Sequence, residues 1–184
     1  MVDKRLNNAK IGIMEINNSI LYIFSGLPGT GKSTLAKIIS KKVNGVYLRI
    51  DTIEQGIREL CNFNVQGEGY RLAYRIIEDN LKIGNNVITD QCNPINITRN
   101  EFNNIAQKCN RKYFNIEIIC SDENEYKYRI ENRISEIENL KLPTWEEIKN
   151  RKYEPWEEEH IIIDTANKSI EECVKELLEK LIKI

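Results

Sequence analysis

The sequence has a single histidine, His160, and no cysteine pair at metal-binding spacing. Its five cysteines (Cys61, Cys92, Cys109, Cys120 and Cys173) are scattered and odd in number. A structural zinc site and a disulfide framework therefore have little to build on. The thiols read as reduced, those of a cytoplasmic protein. Proline is scarce, with four residues in 184, and no proline-, glycine- or serine-rich linker divides the chain. Apolar runs stay well short of the ~18–20 residues that cross a bilayer. The start, Met1 to Asn8, is polar and unlike a secretory signal. Charge of one sign is lacking too: 27 basic residues face 28 acidic ones, a net of −1. No overall pull toward nucleic acid or an anionic membrane follows.

What is present is a globular composition, 41% hydrophobic and 30% charged, in a length that suits one domain. Short apolar runs alternate with helical periodicity. Residues 21–25, 46–50, 87–89, 113–120 and 161–163 read as strands. Leu35, Ala36, Ile38 and Ile39 mark one intervening helix. Tyr70, Ala73, Ile77 and Leu81 mark another, stopped at Gly84. A third helix is expected over 98–109. The last opens with a capping box, Ser169 and Glu172. Such alternation predicts an α/β fold, a parallel sheet covered on both faces, with the first strand central. Residues 121–156 differ: they are charged, strand-free and helical in pattern, with a second capping box at Thr144 and Glu147. They read as a helical lid, about 121–157, inserted before the last strand. Residues 1–17 read as an N-terminal extension of a domain over 18–184, with Met14 an alternative start.

The strongest signal is Gly26-Leu27-Pro28-Gly29-Thr30-Gly31-Lys32-Ser33-Thr34, which fits GxxxxGK[ST] at every required position. A strand precedes it and an amphipathic helix follows, as a phosphate loop requires. The glycines let backbone N–H groups converge on an anion at a helix N-terminus. Lys32 is expected on the β- and γ-phosphates of ATP, and the Ser33 hydroxyl on Mg2+.

Two acidic residues fall at strand ends, where ligands gather in open α/β sheets. Asp51 follows the second strand and could take a proton from an acceptor hydroxyl, or simply cap the next helix. Asp90 ends the third strand and could hold Mg2+ or its water shell, or serve a turn. Gln91 and Asn93 could bind substrate or form a turn with Pro94. Arg129 and Arg133, four apart beside Tyr126, Ile130, Ile134 and Ile137, predict one helix face. They could stabilise a transferring phosphoryl group, or form a solvated face with Glu125 paired to Arg129. Arg58 and Arg151 are weaker candidates of the same kind. Tyr153, Pro155, Trp156 and His160 read as packing of the lid on the domain.

Taken together, residues 26–34, Arg49 with Asp51, Thr89-Asp90 with Asn93 and Arg99, and Arg129 with Arg133 resemble the P-loop small kinase superfamily. The similarity is to its AAA_33-type members, the kinase half of phage-type polynucleotide kinases and the chloramphenicol phosphotransferases. The resemblance implies a five-stranded parallel sheet in the order 2-3-1-4-5, and ATP with Mg2+. It implies Asp51 as general base, Arg129 and Arg133 as lid arginines, and Thr165 in a loop near the adenine. Asn93 and Arg99 from these blocks, with Arg58 and Gln91, are the residues expected on the substrate side. One position departs: three residues after the base, polynucleotide kinases carry a phosphate-binding arginine, and here stands Glu54.

The expected activity is transfer of the γ-phosphoryl of ATP to a hydroxyl of a small molecule, by a monomer or homodimer with no membrane association. A polynucleotide 5′-hydroxyl acceptor is disfavoured by Glu54 and the net charge. A nucleotide-driven switch acting on a partner protein is the reading from a different class.

Overall fold

The computed structural model describes residues 18–183. The expected extension, with its alternative start at Met14, lies outside the described residues. Five strands, β1 (Ile20–Ser25), β2 (Val46–Arg49), β3 (Val87–Asp90), β4 (Lys112–Ile119) and β5 (Ile161–Asp164), pair in parallel. Their order is β2-β3-β1-β4-β5, with β1 in the centre. The helices are α1 (Lys32–Lys42), α2 (Ile50–Cys61), α3 (Glu68–Lys82), α4 (Asn96–Lys108), α5 (Glu123–Asn132), α6 (Trp145–Lys149) and α7 (Ile170–Lys183).

Alternation along β1 builds the two faces. Tyr22 and Phe24 join Ile88, Ile116, Ile118 and Ile163 under α1 and α7, which contribute Leu35, Ile39, Val174 and Leu177. Leu21 and Ile23 join Val87 under α3 and α4, which contribute Ala73, Ile77, Leu81 and Phe102. Each buried side chain of this size contributes about 1.5–3 kcal/mol. The result is three layers, with both faces of the sheet dry and its C-terminal edge open. Register sets that edge: Arg49, Asp90 and Phe24 lie abreast on β2, β3 and β1. No helix among the described residues is long and apolar enough to cross a membrane.

Two expectations need correction. The second strand stops at Arg49, because Ile50 turns under the sheet and is buried as the first residue of α2. Asp51 therefore sits in a helical first turn. The segment 121–157 is also less helical than its pattern. After α5 the chain is irregular until α6, so Arg133 follows the helix and does not share a face with Arg129. Ser135 supplies a reason: its hydroxyl bonds both the N–H and the C=O of Ile137, competing with helical hydrogen bonds. Ile134 is 91% exposed, so the apolar stripe ends at Ile130.

Candidate active site

The loop between β1 and α1 is shaped by contacts that only glycine permits. At Gly26 (φ +138°) a Cβ would stand 2.3 Å from the Ile118 carbonyl oxygen. At Gly29 (φ +85°) it would strike Ile130, which α5 lays across the loop. Tyr126 of α5 also donates its hydroxyl to the Pro28 carbonyl at 2.9 Å. Gly31 begins α1 in the left-handed region, with no side-chain cap and no acidic residue in the first turn. The N–H groups of that turn are open to an anion.

Lys32 is nearly buried, and its ammonium lies 3.6 Å from Asp90 Oδ1. Asp90 is buried as well. It accepts a hydrogen bond from the Tyr47 hydroxyl at 2.5 Å, and Arg49 Nε lies 3.8 Å away. Burial, then the Asp90 charge, hold the Tyr47 phenol far above its ordinary range, so it stays a donor. Arg49 reaches on to Glu136 at 2.9 Å, and Glu136 also pairs with Lys37 of α1. Glu136 thus ties the irregular segment after α5 to the end of β2 and to α1.

A cleft of about 460 Å3 opens over this loop. Pro28, Gly29, Gly31, Lys32, Ser33 and Thr34 line its floor, and Asp51, Glu54 and Arg58 line one wall. Asp51 makes no capping bond for α2, and its carboxylate has no hydrogen-bond or ion-pair partner among the described residues. Glu54, one turn on, pairs with Arg58 at 3.1 Å. Burial raises the Glu54 carboxyl above its ordinary value, against the opposing pull of Arg58.

The other predicted residues divide. Arg129 lines the cleft, pairs with Glu125, and donates to the Thr165 hydroxyl at 2.8 Å and the Thr165 carbonyl at 3.0 Å. Thr165 lies beneath the loop, its hydroxyl 2.8 Å from the Thr30 carbonyl. Thr30 in turn donates to the Leu27 carbonyl at 3.0 Å. Arg133 lines the cleft with its Nε buried and unpartnered, and burial lowers its pKa from the ordinary value.

Gln91, Asn93 and Arg99, expected to touch substrate, do not line the cleft; all three are buried below it. Gln91 donates to Thr89 at 3.1 Å. Asn93 donates to Ser25 at 3.0 Å and accepts from Thr98 at 2.7 Å. Arg99 donates to the carbonyls of Asn93, Glu154 and Pro155, between the rings of Tyr153 and Trp156. It fastens the chain after α6 to the domain, and Trp156 stacks on His160 as packing.

Sequence reasoning passed over Cys92, Glu136 and Lys141, all on the cleft wall, and ranked Arg151 low. Cys92 follows β3, and its carbonyl accepts the Gly26 N–H at 3.1 Å. The Arg151 guanidinium approaches its sulfur at 3.9 Å. Position directly after Asp90-Gln91 was the one signal in the sequence for Cys92.

Ser33 lines the cleft with its hydroxyl free of any hydrogen-bond partner among the described residues, while Asp90, the other oxygen donor expected there, is buried behind Lys32 and does not itself line the cleft. That set suits a hard cation held mainly by a ligand's phosphates. No group of three His, Cys, Asp or Glu side chains able to hold a metal ion occurs among the described residues.

Comparison with known proteins bears on the family and the fold. Residues 21–155 match the family model AAA_33, AAA domain. L-seryl-tRNA(Sec) kinase of Methanococcus maripaludis is 33% identical over 177 residues, covering 87% of this chain. The chain spans 65% of that relative's length. The APS kinase of Mycobacterium tuberculosis, solved with AMPPNP and APS, superposes with a TM-score of 0.67 at 16% identity, over 90% of this chain and 98% of that one. A gluconokinase from Sinorhizobium meliloti gives 0.65 at 16% identity, over 91% and 93%. With the family model spanning most of its length and the sheet order that of P-loop kinases, the chain belongs to the AAA_33 family of AAA domains.

Proposed function

We propose that the chain is an ATP-dependent phosphotransferase whose acceptor is a hydroxyl group. One observation carries the reading: an unpartnered carboxylate, Asp51, shares a cleft with the phosphate loop and with arginines that can close on a phosphoryl group. A kinase needs a carboxylate to orient the acceptor oxygen and take its proton.

In this reading the first-turn N–H groups of α1 and Lys32 hold the β- and γ-phosphates. Ser33 and Asp90 are the residues that would hold Mg2+, which neutralises phosphate charge when bound. Asp51 orients the acceptor hydroxyl in line and accepts its proton as the oxygen attacks the γ-phosphorus and the bond to the β,γ-bridging oxygen breaks, releasing ADP. Arg129 and Arg133 stabilise the charge on the transferring group. The segment 121–157 acts as a lid, hinged beyond α5, that keeps out water as a competing acceptor. Domain limits of 18–184 and a cytoplasmic site of action belong to the same proposal.

A small-molecule acceptor fits the size of the cleft. An acceptor carried on RNA is the second reading, favoured by the similarity to a kinase of L-seryl-tRNA(Sec). The deciding experiment incubates the protein with ATP and Mg2+ and a panel of hydroxylated acceptors: nucleosides, sugars, amino alcohols, 5′-hydroxyl oligonucleotides and aminoacylated RNA. A phosphorylated product, detected by mass, supports the reading and names the acceptor. ATP binding without product from any class favours the switch.

A further inference from the structure

The cleft is far more basic than the chain. Seven cationic side chains line it against three carboxylates, although the whole sequence carries a net charge of −1. Most of these cations are already matched. Lys32 and Arg49 approach Asp90, Arg58 pairs with Glu54, and Arg129 pairs with Glu125. Arg133, Lys141 and Arg151 have no carboxylate within 4 Å among the described residues. The nearest partner of the Arg151 guanidinium is a neutral thiol, Cys92, and that of Arg133 is the Pro143 carbonyl at 3.5 Å. Arg133 and Arg151 line the same cleft, and the charge of Arg151 acts unfavourably on that of Arg133. An anion between them relieves that repulsion.

Sheet order says which anion. Cys92 follows β3, and β3 lies between β1 and β2. Arg151, against Cys92, is therefore on the same side of the phosphate loop as Asp51, which follows β2. Arg129 and Thr165 lie on the other side, toward β4 and β5. With the loop N–H groups and Lys32 assigned to the nucleotide phosphates, and Arg129 and Arg133 to the transferring group, Arg151 is left without a role. Resting on the phosphotransferase reading, we propose that Arg151 binds a phosphate ester carried by the acceptor itself, next to the hydroxyl that Asp51 activates. The acceptor is then an anionic alcohol, and the near-zero net charge of the chain is no argument against a phosphorylated or polynucleotide substrate.

Calorimetric titration tests this on protein saturated with AMPPNP and Mg2+, so that the nucleotide phosphates are already seated. The probes are glycerol 3-phosphate, glycerol as the uncharged control, and a short single-stranded RNA. The phosphate ester binds and glycerol does not. Arg151→Gln weakens phosphate-ester binding roughly 10- to 100-fold, the worth of a charge-assisted hydrogen bond. Arg151→Lys, which keeps the charge but loses the fork, falls between. AMPPNP affinity is the same in all three proteins. RNA binding tighter than glycerol 3-phosphate, with the same dependence on Arg151, assigns the ester to a polynucleotide; the reverse assigns it to a small phosphorylated alcohol. Equal binding of glycerol 3-phosphate by wild type and Arg151→Gln overturns the proposal. So does a parallel loss of AMPPNP affinity, which would give Arg151 to the nucleotide. Failure of the wild type to bind AMPPNP at all defeats the phosphotransferase reading first, and this one with it. Arg151 is exposed, so Arg151→Gln keeps the wild-type melting temperature; if it does not, Arg151→Lys carries the test.

Discussion

Lys32 and Asp90 face each other at 3.6 Å, from the start of α1 and the end of β3, and both are almost wholly buried. The pair welds the phosphate loop to the strand beside it. Removing one charge leaves the other buried with a second cation, Arg49, beside it. Asp90→Ala is expected to cost about 3–5 kcal/mol of stability, the range for breaking a buried pair. Chemical denaturation measures it. A loss under 1 kcal/mol would mean that water already screens the pair.

The contact between α5 and the loop makes a second prediction. Gly29→Ala forces a Cβ into Ile130 at a left-handed φ, so α5 must lift from the loop. Tyr126→Phe removes only the hydrogen bond to Pro28. We expect Gly29→Ala to lose nucleotide affinity by at least about tenfold, and Tyr126→Phe to lose about 1 kcal/mol of stability or less. Trp145 fluorescence reports both, followed in a nucleotide titration for the first and in chemical denaturation for the second, since Trp145 packs edge-on against Tyr126. Unchanged affinity in Gly29→Ala would detach α5 from nucleotide binding.

Glu54 sets a pH dependence. Burial raises its carboxyl above the ordinary 4.5 in the folded protein. The folded state therefore binds its proton more tightly than the unfolded chain does. The stability this gives is complete below about pH 4.5 and is lost as pH rises through the higher folded value. Glu54→Gln should flatten that decline and match or exceed wild-type stability at pH 7. Melting temperatures across pH 4 to 8 decide it; a steeper decline in the variant would show that the Arg58 pair outweighs burial.

Cys92 reports occupancy of the cleft. Burial pushes its thiol above the ordinary range, against the pull of Lys32 and Arg151. Alkylation at neutral pH should be slow, rise with pH, and slow further when ATP fills the cleft. Mass spectrometry follows it, and fast labelling insensitive to ATP would remove Cys92 from the cleft wall.

Much of this architecture is legible in the sequence because its causes are local. Residues 26–34 carry their glycines, lysine and serine in one stretch, and the alternation of Tyr22 and Phe24 with Leu21 and Ile23 sorts the two faces of β1. Less legible is burial that depends on distant residues. Asn93 and Arg99 look like ligand-binding polar groups after a strand, yet Ser25 and Thr98 engage the first and the carbonyls of Glu154 and Pro155 the second, while Gln91 is buried against Thr89. Arg133 looked helical by spacing, but Ser135 bonds to Ile137 beyond the end of the helix. Net charge averages over the whole surface and does not describe the cleft. The acidic residues are spread over the surface, while the cations converge from α2, α5, the segment after it and the chain beyond α6.

The central claim is that Asp51 activates an acceptor hydroxyl for attack on ATP. The most direct measurement compares wild type and Asp51→Asn for phosphorylated product by mass, alongside ATP affinity by calorimetry. The account predicts that the variant binds ATP as wild type does, since Asp51 touches no phosphate-binding group, and forms product at least about 100-fold more slowly. Full product formation by Asp51→Asn would contradict it.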